Sequence, residues 1–337
     1  MKAVRVRVVA AAVGAGVAGS LLSSCAVAPE SEKLSNDTYS VAHEAGATTD
    51  VPVHPQRIVV LDEYAALNML DVGVVPDVVF GGLSSEVGAV VLKEEGVNLI
   101  AAPTMILEPD FEAVAAQEPD LIVLTDPGES IAESFPSFSE IAPTIVLPYE
   151  KPWQEMLQVV GETFHREAEA EVTRAALQQR LDDVLAIPGT RGSMAVLAAF
   201  QDFYYSPVIT NPLSVTLQQA GFTRPPVEGE AEASGFSTST VPWSPEELPE
   251  HEADAVVVLS GSVYNAEAVQ ALPTFNSLTA VREGRAYVAN GELWSGNFAL
   301  GTWWLLDDLE MILAGETGLG TIDDAVDRWR ALRAAIG

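Results

Sequence analysis

A single cysteine, Cys25, in 337 residues excludes an internal disulfide framework and any cysteine-rich zinc or iron–sulfur site. Histidine is nearly as scarce. His43, His54, His165 and His251 make up the full set, and none falls at a predicted strand end, which argues against a direct zinc or manganese site. Bases are few: 17 Lys plus Arg stand against 48 Asp plus Glu, a formal charge of −31. So acidic a surface repels phosphate, and nucleic acid and anionic lipid are not expected partners. There is no Walker motif and no dinucleotide-binding glycine fingerprint. Beyond the N-terminus no run is long and apolar enough to cross a bilayer.

What is present is a folding composition, 48% hydrophobic and 19% charged, with enough length for two domains. Lys2, Arg5 and Arg7 precede an apolar run, Val8–Leu22, too short to span and read as an export signal. It ends in Leu22-Ser23-Ser24-Cys25, which resembles the bacterial lipobox. The resemblance implies cleavage after residue 24 and lipidation of Cys25, placing the protein on the outer face of the cytoplasmic membrane with the lipid as its only membrane contact. Residues 25–50 read as a tether and first extended segment.

Short β-branched runs at Arg57–Leu61, Asp77–Phe80, Leu121–Leu124 and Thr144–Leu147 alternate with helical stretches. A second series follows at Ser193–Phe200, Ala255–Leu259 and Arg285–Val288. Near-continuous apolar strands alternating with helices predict parallel sheets covered on both faces. From Trp153 to Leu185 there is no proline and one glycine, Gly161, so the spacing predicts a helix of about 30 residues. The predicted fold is α/β: two parallel-sheet lobes, 51–151 and 188–337, facing a cleft and joined by one long rigid helix within 152–187. Residues 223–242 read as a loop.

The lobes share a repeat. Asp110 precedes a helix leading to Glu118-Pro-Asp-Leu-Ile-Val-Leu124, and Ser244 precedes one leading to Glu252-Ala-Asp-Ala-Val-Val-Val-Leu259. An offset of 134 positions superposes Asp120 on Asp254 without a gap. Ligands in open parallel sheets bind beyond the carboxyl ends of the strands. That rule nominates Tyr64, Gly82, Met105 and Thr125 in the first lobe, and Phe203, Tyr204, Tyr205, Trp243 and Trp294 in the second. Gly128-Glu129-Ser130 half resembles a hydrolase nucleophile elbow but lacks the closing glycine. A cell-surface serine hydrolase is therefore a remote alternative, and no catalytic residue is assigned.

The segments Val41–Pro52 with Pro55–Leu61, Glu108-Pro109 with Glu118–Leu124, and Leu272-Pro273 with Leu278–Val288 together resemble the iron-siderophore substrate-binding lipoproteins of ABC importers. The resemblance implies two α/β lobes bridged by a long helix, capture rather than catalysis, no resident cofactor or metal, and a monomer. Its ligand would be an iron(III)–siderophore complex, or in some branches haem or cobalamin. It also implies docking to the permease through one glutamate on each lobe, for which the repeat offset supplies Glu133 and Glu267. Within 192–281 the only base is Arg224, and within 51–150 only Arg57 and Lys93 occur. A ferric tris-catecholate, with a charge of about −3, calls for several convergent bases. A neutral or cationic ferric hydroxamate, held by aromatics and Arg224, is the expected ligand.

Overall fold

The computed structural model describes residues 37–43, 45–81, 85–102, 110–125, 131–201, 203–229 and 239–337. Cys25 and the signal lie outside them, as do Gly82, Met105 and Ser130. An antiparallel hairpin, β1 (Thr38–His43) and β2 (Gly46–Pro52), comes first. It is fixed to the first lobe by buried Val41 and Val51 and by the Thr48 hydroxyl, which donates to the Thr144 carbonyl.

The first lobe is built on β3 (Ile58–Val60), β4 (Val78–Gly81), β5 (Asn98–Ala101), β6 (Leu121–Thr125) and β7 (Thr144–Leu147), all parallel in the order β5-β4-β3-β6-β7. Four of these strands are wholly buried, as expected of a sheet covered on both faces. The covering helices are α1 (Glu63–Leu70), α2 (Glu86–Glu94), α3 (Phe111–Ala115) and α4 (Ile131–Ser139). Asp62, Ser85 and Asp110 cap the first three, each side chain accepting a backbone N–H of the first turn.

The single long connecting helix is corrected. Residues 153–186 form two helices, α5 (Trp153–Phe164) and α6 (Glu167–Ala186). His165 adopts the left-handed conformation, φ 53°, and the Gly161 carbonyl accepts the N–H groups of both His165 and Arg166. A left-handed residue ends a helix, and histidine tolerates the conformation better than β-branched residues do. The corner is held from outside: Tyr39 of β1 stacks on His165 at 4.5 Å and donates its hydroxyl to the Thr163 carbonyl at 2.9 Å. Helix α6 alone, about 30 Å long, is the connector. Its Thr173 hydroxyl donates to the Asp71 carbonyl at the end of α1 at 2.7 Å, and its Arg180 pairs with Asp307 at 2.7 Å in the second lobe.

The second lobe contains β8 (Met194–Phe200), β9 (Phe203–Pro207), α7 (Pro212–Gln219), α8 (Pro226–Gly229), β10 (Thr240–Trp243), β11 (Ala255–Ser260), α9 (Ala266–Gln270), α10 (Thr279–Arg282), β12 (Ala286–Asn290), α11 (Gly291–Trp294), α12 (Ala299–Leu313) and α13 (Ala325–Ile336). Its sheet runs β10-β9-β8-β11-β12. β8, β11 and β12 are parallel, but β9 is antiparallel to both β8 and β10. A chain reversal at Gln201 (φ 53°) makes β8 and β9 a hairpin, where an irregular turn is predicted. Residues 226–229 and 240–243 are ordered within the predicted loop. Ser244 caps a turn and a 3₁₀ segment, Leu248–His251, rather than an α-helix.

Helix α13 also departs from expectation. It returns to the first lobe, where the Trp329 indole donates to Glu95 at 2.6 Å and Arg330 pairs with Glu94 at 2.6 Å. One continuous core therefore runs through both lobes, from Val79 and Leu121 through Leu177 and Leu181 of α6 to Val257 and Leu309. Separate cores fill the outer face of each sheet.

Candidate functional site

Four tyrosines from four separate segments meet between the lobes. Tyr64 sits in the first turn of α1 and Tyr149 two residues beyond β7; Tyr205 lies on β9 and Tyr264 in the loop after β11. The rings of Tyr64 and Tyr149 meet edge-on at 5.7 Å, and Tyr64 meets Phe298, at the start of α12, at 5.5 Å. The Tyr64 and Tyr149 hydroxyls share a hydrogen bond, as do those of Tyr205 and Tyr264. Tyr264 and Ser295 Oγ are 2.7 Å apart. The lobes touch directly here: Asn297 donates to the Tyr149 carbonyl, and the Ser239 hydroxyl donates to Glu150 at 2.8 Å.

Burial raises all four phenols, Tyr264 to about 12, with mutual repulsion adding to it. They are neutral hydrogen-bonding groups at any ordinary pH. The charged groups bearing on them are all acidic: Asp62, Glu63, Glu150 and Glu292. Glycines make room for two of these. A Cβ on Gly81 would lie 2.6 Å from the Glu63 carboxyl carbon, and one on Gly261 would collide with the Glu292 carboxylate. Glu292 accepts from the Ser262 N–H at 2.5 Å, the Ser262 hydroxyl at 2.9 Å and the Val263 N–H at 3.4 Å, yet burial still raises its pKa.

The remaining nominated residues are placed as follows. Phe203 is exposed at the hairpin tip, 5.9 Å from the Tyr205 ring. Strand alternation turns Tyr204 to the opposite face, where it stacks on Trp243 at 4.9 Å. Four nominations are corrected, each because the side chain is buried on partners of its own. Thr125 donates its hydroxyl to Asp62 at 2.9 Å. Trp243 packs on His251 at 5.2 Å and donates to Ser206 at 3.1 Å. The Trp294 indole donates to Asp308 at 2.8 Å. Arg224, with no exposed side-chain surface, pairs with Glu228 and donates to the carbonyls of Met194 and Pro207. Glu228 also holds His251 Nδ1 at 2.7 Å, so this charge network braces β8, β9 and the 3₁₀ segment from inside. Glu267 is exposed in the first turn of α9; nothing describes the side chain of Glu133. Sequence reasoning missed Tyr149 and Tyr264. Both stand within four residues of a strand's carboxyl end, and that rule applied to every strand would have found them.

A family profile described as "Periplasmic binding protein" matches residues 104–293. The chain is 25% identical to a probable siderophore-binding lipoprotein, YfiY, of Bacillus subtilis, over 83% of this chain and 89% of that one. It is 30% identical to the petrobactin-binding protein YclQ of the same organism, over 49% of this chain and 53% of that one. Among solved structures, holo-ViuP superposes with a TM-score of 0.66 at 18% identity, covering 87% of this chain and 97% of that one; this likeness is one of fold.

Proposed function

Since the chain belongs to the periplasmic binding protein family, we propose that it is the solute-binding subunit of an ABC importer and that it carries a ferric siderophore between its lobes. The observation that carries the reading is the interlobe cluster of Tyr64, Tyr149, Tyr205 and Tyr264: rings to cover an organic shell, and neutral hydroxyls to bond to its oxygens. Relatives with siderophore-binding and petrobactin-binding names support the cargo class. The iron stays chelated, and the protein acts by capture and handover rather than by turnover.

The acidic groups around the phenols favour a neutral or cationic complex, because an anionic one would meet Asp62, Glu63, Glu150 and Glu292 across a desolvated gap. A ferric hydroxamate fits this field; a tris-catecholate does not. Export and lipidation at Cys25 would hold the protein at the membrane surface beside its permease. No helix among the described residues is long and apolar enough to cross a membrane. Glu267, with Glu133 at the equivalent position of the other lobe, is the proposed permease contact.

The test is intrinsic fluorescence quenching of the purified protein by ferrioxamine B, ferrichrome and ferric enterobactin. Saturable quenching by either hydroxamate and none by ferric enterobactin is expected. Tight binding of ferric enterobactin alone overturns the hydroxamate preference, and quenching by none of the three tells against the carrier reading.

A further inference from the structure

The hydroxyl pairs in the cluster have a geometry that hydrogen bonding to a ligand does not by itself require. Hydroxyl oxygens sharing a hydrogen bond lie about 2.7–2.8 Å apart. Two adjacent oxygens on an octahedral hard cation, each about 2 Å from the metal, are separated by about 2.8 Å. Tyr205 with Tyr264, and Tyr64 with Tyr149, thus hold their oxygens at the separation of neighbouring ligands on one small ion. Ferric iron is such an ion, and anionic oxygen is the donor that hard cations prefer.

The second-lobe pair is the better placed. Tyr205 and Tyr264 belong to the same sheet, on β9 and just after β11, so the pair survives parting of the lobes. Ser295 fixes the Tyr264 oxygen at 2.7 Å. The Glu292 carboxylate bears on both phenols and is held by three donors of the 262–263 loop. Tyr64 and Tyr149 close over this pair from the other lobe.

We infer that Tyr205 and Tyr264 supply two oxygen ligands to iron in ferric chelates that leave two adjacent coordination positions open, so that the cargo extends from saturated siderophores to tetradentate ones. The inference deepens the carrier reading and rests on it. The step is a ligand exchange. Each phenol O–H gives up its proton, its oxygen forms an Fe–O bond, and the water that held that position leaves. Iron remains ferric and no electron moves. Glu292 accepts one proton and solvent the other, and metal binding drives the deprotonation that the buried phenols resist when empty. A chelator with six donors has no open position, and for it the same hydroxyls act only as hydrogen-bond donors.

The experiment compares ferric nitrilotriacetate, whose four donors leave two positions open, with ferrioxamine B, whose six leave none. Titrated into the purified protein, ferric nitrilotriacetate is expected to produce a visible phenolate-to-iron charge-transfer band and to release protons; ferrioxamine B is expected to bind with neither signal. Tyr205→Phe and Tyr264→Phe, tested separately, should abolish or shift the band and weaken ferric nitrilotriacetate by about tenfold or more, while ferrioxamine B changes by no more than about threefold. Each variant removes one oxygen, and two independent variants guard against a folding defect in either. Binding of ferrioxamine B without ferric nitrilotriacetate overturns the inference and leaves the carrier reading standing. So does a band that both variants retain. If ferric enterobactin is also unbound and neither chelate binds, both readings fall together.

Discussion

Asp120 and Asp254, 134 positions apart, do the same work in the two lobes. The Asp120 carboxylate accepts the N–H groups of Gln56 at 2.6 Å and Arg57 at 2.9 Å, at the entry to β3. The Asp254 carboxylate accepts the N–H of Ser193 at 2.7 Å and its hydroxyl at 3.0 Å, at the entry to β8. In each lobe the aspartate opens one central strand and ties down the start of its parallel neighbour. An arginine completes both: Arg57 donates to the Gln117 carbonyl, and Arg285 to the Asp254 carbonyl at 2.6 Å.

Asp254→Ala should therefore destabilise by on the order of 1 kcal/mol at neutral pH, the value of a solvent-screened pair of hydrogen bonds. Those bonds hold the Asp254 carboxyl below its ordinary 3.8. A depressed acid stabilises above its unfolded value, and the contribution is lost as pH falls through the folded one. Urea unfolding at pH 7 and pH 3 should show the gap between wild type and variant closing in acid. A gap that widens in acid contradicts this account.

Asp62 has the opposite sign. Although it accepts from Ala65 N–H, Thr125 N–H and the Thr125 hydroxyl, burial pushes its carboxyl from 3.8 up to about 6. The folded state then holds a proton that the unfolded state releases, so stability is fullest below pH 3.8 and falls as pH rises through about 6. The fall amounts to roughly 3 kcal/mol at most. Relative to Asp62→Asn, wild type should lose stability between pH 4 and pH 6 and run parallel above that. Parallel curves throughout would show that Asp62 does not titrate there.

Gly161→Ala should destabilise, although replacing a helical glycine with alanine normally helps. The added Cβ would lie 2.7 Å from the Ala170 Cβ, where α5 and α6 pack at their corner. Overpacking of this kind costs about 1–3 kcal/mol. A melting temperature equal to or above wild type would mean that the corner yields.

Arg224→Met leaves the Glu228 carboxylate buried with His251 as its remaining charged partner and should cost about 3–5 kcal/mol. The double variant Arg224→Met/Glu228→Gln removes the stranded charge and should recover part of that. Siderophore affinity of the folded single variant should match wild type, because Arg224 exposes no side-chain surface. A single variant that folds normally and loses ligand would return Arg224 to the binding site.

By itself the sequence determined the α/β class, the two series of strands and the 134-residue repeat. Those rest on local patterns, β-branched runs, capping side chains and an aspartate before each central strand, which act within a few residues of themselves. It also pointed to the strand ends where Tyr64 and Tyr205 lie. Tertiary structure alone decided which aromatics face the gap: strand alternation along β9 sends Tyr204 and Tyr205 to opposite faces, and a residue count gives the alternation but not which face is inward. It decided that the connector breaks at His165, where no glycine or proline marks the place and the stacked Tyr39 ring comes from more than a hundred residues away. It buried Arg224 against Glu228 instead of leaving it for a ligand, because a charge goes where its counter-charge and carbonyl partners converge, and that convergence exists only once the sheet has formed.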